Sequence, residues 1–255
     1  MNAPLVLLHA FPFGPNLWSS VVTELAADSS GEMPIVVPAL PGFEGTALPD
    51  APPNLAVVAD AVLNQLLAGD HAPPFLLAGV SLGGYVAMAM ARRRPDLLAG
   101  LVLVDTKATA DSDQAREVRL ATALRAEQDP ATIGEVLVDQ LLPKLLGPST
   151  LRDRPEVAQS VRAMLRQAPP ATVAWYQRAM AQRPDSLATL AELTCPVLVV
   201  YGDEDELSPQ VEQDQMLAVL RSGHRQIIDG AGHLSPIEAP TEVARTIHAF
   251  WKGLA

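Results

Sequence analysis

The stretch from Phe75 to Ala91 constrains the fold of this chain more than any other. Phe75-Leu76-Leu77-Ala78 is an apolar run suited to a buried strand, and Gly79-Val80-Ser81-Leu82-Gly83 follows it. The Ala- and Met-rich segment after Gly84 reads as a helix that ends near Arg92-Arg93-Arg94-Pro95. A serine between strand and helix, with glycine two residues before and two after, has the pattern of a nucleophile elbow. A turn that tight leaves no room for Cβ atoms at the flanking positions. Ser81 then projects at the C-terminal end of a strand, with the positive end of a helix beneath it. A purely structural glycine turn satisfies the same five residues, so the reading depends on partners elsewhere in the chain.

Taken in order, the chain alternates continuous apolar strands with helices. Strands are expected at Leu5–His9, Ile35–Val37, Phe75–Val80 and Leu101–Asp105, and again at Pro196–Gly202 and Arg225–Ile228. Helices are expected at 17–27, 55–67, 209–220 and 241–251, the last with Val243, Ile247 and Phe250 facing inward. Continuous apolar strands alternating with helices predict a parallel sheet covered on both faces. The alternation stops at Lys107. From there to about Glu192 no strand-like run occurs, and helices are expected near 111–127, 131–142, 155–167 and 170–182. The spacing therefore predicts a core domain of residues 1–106 and 193–255, with a helical cap inserted at 107–192.

Charge supports that division. Residues 107–192 carry 11 Lys and Arg against 11 Asp and Glu, whereas the remainder carries 7 against 18. The net charge of −11 argues against a nucleic-acid partner. No apolar run approaches the ~18 residues of a spanning helix. The start, Met1-Asn2-Ala3-Pro4-Leu5, has no basic leader. The single cysteine, Cys195, rules out an internal disulfide and is expected to be buried and inert. These features predict a cytoplasmic protein of unspecified oligomeric state, without a membrane span, a metal or a cofactor.

A serine hydroxyl needs an adjacent base, itself oriented by a third group. Of five histidines, His233 sits in the small-residue loop Gly230-Ala231-Gly232-His233-Leu234, just after the last strand and on the side where Ser81 emerges. His9 ends the first strand and is expected to shape the loop behind it. His71, His224 and His248 are expected at the surface. The orienting acid should follow a late strand, where Asp203-Glu204-Asp205-Glu206 offers four candidates. Asp205 is preferred. Asp203 and Asp105 are rivals, and the other acids read as a solvated turn. An oxyanion hole needs two backbone N–H groups. Leu82 supplies one, and Phe11, in the loop His9-Ala10-Phe11-Pro12, is placed to supply the other. As an alternative, Phe11 is an ordinary apolar loop residue.

The loop at His9–Pro12, the elbow at Gly79–Gly84, the acidic turn at Gly202–Asp205 and Gly232-His233 together make the chain similar to the α/β-hydrolase superfamily. Within it, the chain resembles small bacterial carboxylesterases and 3-oxoadipate enol-lactonase-like hydrolases. The resemblance implies Ser81 as nucleophile, Asp205 as acid, His233 as base, and Phe11 and Leu82 as oxyanion donors. It implies hydrolysis of a small to medium carboxylic ester or lactone through an acyl-enzyme. Ala10 departs from the family, which usually has glycine there. With four residues before the first strand, the usual N-terminal hairpin has no room, so about six strands are expected. Phe13, Trp18, Met164, Trp175, Tyr176 and Met180 are expected to wall the pocket, although the helical ones are equally spaced for core packing. Arg162, Arg166 and Arg178 are candidates to hold a substrate carboxylate. A carbon–carbon bond hydrolase, a lyase or a cofactor-free perhydrolase would use the same triad, and a non-catalytic ligand receptor is the alternative of another class. Epoxide hydrolases and dehalogenases resemble this fold but place Asp where Ser81 stands.

Overall fold

In the computed structural model, residues 3–28 and 33–254 are described. Six strands form one sheet: β1 (Leu5–Leu8), β2 (Ile35–Val36), β3 (Phe75–Val80), β4 (Leu98–Val104), β5 (Val197–Gly202) and β6 (Gly223–Ile228). Their spatial order is β2-β1-β3-β4-β5-β6, and every pairing is parallel. The central strands β1, β3 and β5 are buried at every residue, as their unbroken apolar sequences require. Polar residues collect at the edge, where His224 and Arg225 of β6 are exposed.

Helices α1 (Ser19–Asp28), α2 (Leu55–Leu67) and α3 (Leu82–Arg93) connect the first four strands. The β1–β2 connection runs one way along the sheet and the β3–β4 connection runs the other. With right-handed crossovers, α1 and α3 therefore cover opposite faces. α12 (Pro240–Lys252) packs against α1, and α2 packs against α3. The reversal of winding opens a crevice between the C-terminal ends of β1 and β3, the usual ligand position in open α/β sheets.

Between β4 and β5 the chain carries six helices and no strand: α4 (Asp113–Gln128), α5 (Ile133–Leu145), α6 (Pro148–Asp153), α7 (Pro155–Arg166), α8 (Pro170–Ala181) and α9 (Leu187–Glu192). α8 docks on the loop that follows β2. Thr172 Oγ1 donates to the Gly42 carbonyl at 2.7 Å and the Tyr176 hydroxyl donates to that of Pro41 at 2.9 Å. α10 (Gln210–Val219) joins β5 to β6, and the short α11 (Ser235–Glu238) precedes α12.

Several details differ from the sequence-based expectations. The short helices α6, α9 and α11 were not expected, because a single turn or two carries too few residues to display a period. β4 begins three residues before Leu101, and Pro15–Trp18 is a 3-10 turn that leads into α1. His248 is buried beside Trp251 instead of lying at the surface, whereas Phe250 is only half-buried. Cys195 is half-buried, and burial raises its thiol pKa. Among the described residues, no helix is long and apolar enough to cross a membrane.

Candidate active site

Ser81 has φ 53° and ψ −112°, a left-handed conformation that side chains other than glycine seldom adopt. Neighbouring backbone holds it there. A Cβ at Gly79 would come within 2.3 Å of the Gly83 backbone, and one at Gly83 within 2.1 Å of the Leu8 carbonyl oxygen. Both glycines are thus required by close approach, and the start of α3 is pressed against the end of β1. Thr106 Oγ1 donates to the Ser81 carbonyl at 2.8 Å and secures the turn from the β4 side.

The Ser81 hydroxyl donates to His233 Nε2 at 2.8 Å. The other ring nitrogen, Nδ1, donates to Asp205, at 2.9 Å from Oδ2 and 3.1 Å from Oδ1. Asp205 is buried and is supported by its own turn: Leu207 N and Ser208 N donate to Oδ1, and the Ser208 hydroxyl donates to Oδ2. Gln213 Nε2 fixes that turn by donating to the carbonyls of Ser208 at 2.7 Å and Thr106 at 3.0 Å. Three side chains far apart in sequence therefore form one hydrogen-bonded line at the sheet's C-terminal edge.

Electrostatics follow from this geometry. Burial disfavours charge on both His233 and Asp205. Their mutual attraction and hydrogen bond outweigh it, so the Asp205 carboxyl lies below its ordinary range and the His233 imidazole above. Asp105 and Glu238 add to the rise at His233. The rival acids serve elsewhere. Asp203 accepts from Gly230 N at 2.7 Å. Asp105 accepts from Gly202 N at 3.0 Å and Ser235 N at 2.9 Å, and burial followed by repulsion from Asp205 pushes its pKa up to about 7. Glu204, expected in a solvated turn, instead accepts from Ser149 N at 2.8 Å.

The N–H groups of Phe11 and Leu82 donate to no other group among the described residues. They flank the crevice between β1 and β3, because Gly83 packs on Leu8 and His9. Behind them, His9 is neutral: Nδ1 donates to the Ala10 carbonyl at 3.1 Å, Nε2 accepts from Leu40 N at 3.0 Å, and burial lowers the pKa to about 4. It ties the Phe11 loop to the loop after β2.

The residues expected to wall a pocket separate into two groups. Phe13 and Met164 line a cleft of about 270 Å³ together with Phe43 and Pro169. Trp18 and Tyr176 are fully enclosed in the core, Met180 Sδ accepts from Arg119, and Trp175 Nε1 donates to the Ala51 carbonyl. These four, one from the 3-10 turn before α1 and three from α8, are not among the residues that line that cleft. Of the arginines expected to hold a carboxylate, Arg166 pairs with Glu135 and Arg178 with Glu127, while Arg162 is exposed. Residues that the sequence did not single out include Thr106, Ser208, Gln213 and Glu238. Only Ser208, three residues past Asp205, carried a local signal, the spacing of an Asx-type turn. Among the described residues, no group of three or more His, Cys, Asp or Glu could hold a metal ion.

Comparison with known proteins identifies the family. The family model described as "Alpha/beta hydrolase family" matches residues 5–246. The chain belongs to the α/β hydrolase family. It is 30% identical to a pimeloyl-[acyl-carrier protein] methyl ester esterase of Aromatoleum aromaticum, over 99% of this chain and 100% of the relative. A thermophilic esterase from Thermogutta terrifontis, solved with malate bound, superposes with a TM-score of 0.89 at 35% identity, over 99% of this chain and 90% of that one. The enol-lactonase from Burkholderia xenovorans LB400 shares the fold, with a TM-score of 0.86 at 21% identity, over 99% and 92% of the two chains. These similarities place the chain among the ester hydrolases of its family.

Proposed function

We propose that this protein hydrolyses a small to medium carboxylic ester or lactone through an acyl-enzyme formed on Ser81. The observation that carries the proposal is the unbroken line from Ser81 Oγ through His233 to Asp205, with hydrogen bonds of 2.8 and 2.9 Å. His233 Nε2 takes the Ser81 proton as Oγ attacks the carbonyl carbon. Asp205 stabilises the resulting imidazolium and keeps Nδ1 protonated, so that Nε2 is the basic nitrogen. The amides of Phe11 and Leu82 receive the charge on the tetrahedral oxygen. The imidazolium then protonates the leaving alkoxide, and water, activated by the same histidine, releases the acid.

The methyl ester esterase and the thermophilic esterase among the relatives support an ester over a carbon–carbon bond as substrate. The helices of residues 107–192 act as a cap that sets substrate choice. Their share of the cleft beside Pro12 and Phe13 is Met164, Gln167, Ala168 and Pro169, and we infer from its three apolar members an uncharged acyl or alkyl group. Arg166 and Arg178 already have glutamate partners, so they give no support to a carboxylate-bearing substrate.

A panel of p-nitrophenyl esters of graded chain length, assayed beside simple lactones, tests the proposal. Turnover should be greatest at short to medium chains. Ser81→Ala should lower kcat by about 10⁴-fold or more, and a fluorophosphonate probe should label Ser81 in the wild type alone. Full turnover by Ser81→Ala would overturn the scheme. Tight ester binding with neither turnover nor labelling would identify a receptor instead.

A further inference from the structure

A second recess lies along α3, leading away from the Ser81 turn. It has a volume of about 190 Å³ and is bounded by the start of α2, by Tyr85, Met88 and Arg92 of α3, by Lys107 after β4, and by Arg183 and Ser186 between α8 and α9.

The charges around it do not balance. Among the described residues no Asp or Glu lines the recess, whereas Arg92, Lys107 and Arg183 do. Behind it, one buried carboxylate, Asp111, is shared by three cations: Arg183 at 2.7 Å, Arg119 at 2.5 Å and Lys107 at 3.9 Å. Among the described residues, Arg92 has no acidic side chain as partner. It donates to Thr189 Oγ1, Ser186 Oγ and the Asp185 carbonyl, while the Asp185 carboxylate at the rim accepts from Leu187 N. Counting Arg92, Lys107, Arg119 and Arg183 against Asp111 and Asp185 leaves two positive charges in excess, in a chain whose net charge is −11. A half-enclosed recess of one sign concentrates counter-ions.

The recess also holds unspent donors. Lys107 Nζ, Arg92 Nη1 and the Tyr85 hydroxyl belong to its walls, and none of the three donates a hydrogen bond within the described residues. Arg183 is fixed beside them, with its guanidinium carbon 4.1 Å from the Tyr85 ring centroid and Nη2 donating to the Thr109 carbonyl at 2.8 Å. A wall with three donors that make no hydrogen bond within the described residues, Lys107 among them at ion-pair distance from Asp111, and with surplus positive charge matches an oxyanion with two or more acceptor oxygens.

We propose that this recess binds a small oxyanion carrying about two negative charges, either a short dicarboxylate or inorganic phosphate. Such a ligand would bridge α3 to the segment returning from α8, so its binding stabilises the fold independently of ester turnover. The test is a thermal-shift titration of the full chain with sodium phosphate, sodium succinate and, as the ionic-strength control, sodium chloride, each up to about 20 mM. The expected result is a saturable rise in Tm beyond the chloride response, roughly 5–10 °C at a hundredfold excess over Kd. A response to phosphate alone, to succinate alone or to both supports the site and tells the two sources apart. Lys107→Gln and Tyr85→Phe, read separately so that one folded variant suffices, should each weaken the apparent Kd, Lys107→Gln by about tenfold. No saturable rise in the wild type, or an unchanged Kd in a folded Lys107→Gln protein, would overturn the proposal. Failure of the ester assays would leave this readout untouched.

Discussion

His233 is pulled in opposite directions. Burial favours the neutral ring, whereas Asp205 above all, with Asp105 and Glu238 as they ionise, favours the cation, so the pKa is raised overall. The base in the proposed reaction must be neutral, so activity is present above the His233 pKa and lost as pH falls through it. The acid limb of kcat/KM should accordingly have a midpoint above 6.5, the ordinary histidine value. Asp205→Asn removes the charge that raises the pKa and also the acceptor that holds the tautomer. Its kcat should fall by about 10⁴-fold, and the residual activity should have an acid limb shifted to lower pH. A pH–rate profile of both proteins decides the point. A limb that stays in place would mean that Asp205 does not set the base.

At the scale of elements, the His233 loop is held between two buried carboxylates. Gly232 N and Leu234 N donate to Glu238 Oε1, Gly147 N of the α5–α6 turn donates to Oε2, and Ser235 N donates to Asp105. Glu238 thus joins the loop carrying His233 to the turn between α5 and α6. Glutamine has one carbonyl oxygen where glutamate has two acceptors, so Glu238→Gln forces an amide NH₂ against a backbone N–H. The expected loss is about 1–3 kcal/mol, seen by calorimetry as a Tm lowered by roughly 2–10 °C. Displacement of His233 should lower kcat up to about 10²-fold, with a smaller effect on KM. An unchanged Tm would show that these bonds carry no weight. None of this was legible in the sequence. The elbow, the acid turn and the Gly232-His233 loop were, because backbone constraints and strand ends mark them locally. The long strands were legible as well, since burial on both faces writes an unbroken apolar run. Glu238 and Asp105 receive their roles from amides that are close only after folding, and no spacing announces that. Trp18 and Tyr176 show the converse: an aromatic residue near a site looks the same in sequence whether it lines the cleft or fills the core behind it.

At the scale of the whole molecule, two buried groups set opposite pH dependences of stability. His9 is neutral in the folded protein down to about pH 4, whereas an unfolded histidine takes its proton near 6.5. Between those values the unfolded chain binds more protons, so His9 contributes stability above 6.5 that is lost as pH falls toward 4. Asp105 acts in the other sense. Its folded carboxyl keeps its proton up to about pH 7, and an unfolded aspartate ionises near 3.8. The folded chain then binds more protons, so the contribution of Asp105 is fully present below about 3.8 and is lost as pH rises through about 7. Across its window the His9 contribution is worth about 3 kcal/mol and that of Asp105 about 4 kcal/mol. Burial also raises Glu238, which adds to the Asp105 direction, while His233, raised above 6.5, acts mainly at higher pH. The opposing terms overlap between pH 4 and 6.5, and single substitutions should separate them. Relative to wild type, His9→Gln should lose stability as pH rises across that interval, and Asp105→Asn should gain it. Urea unfolding at half-unit steps from pH 4.5 to 7 measures both slopes. The essential outcome is their opposite sign, because a mere loss of packing would lower both curves without tilting them apart.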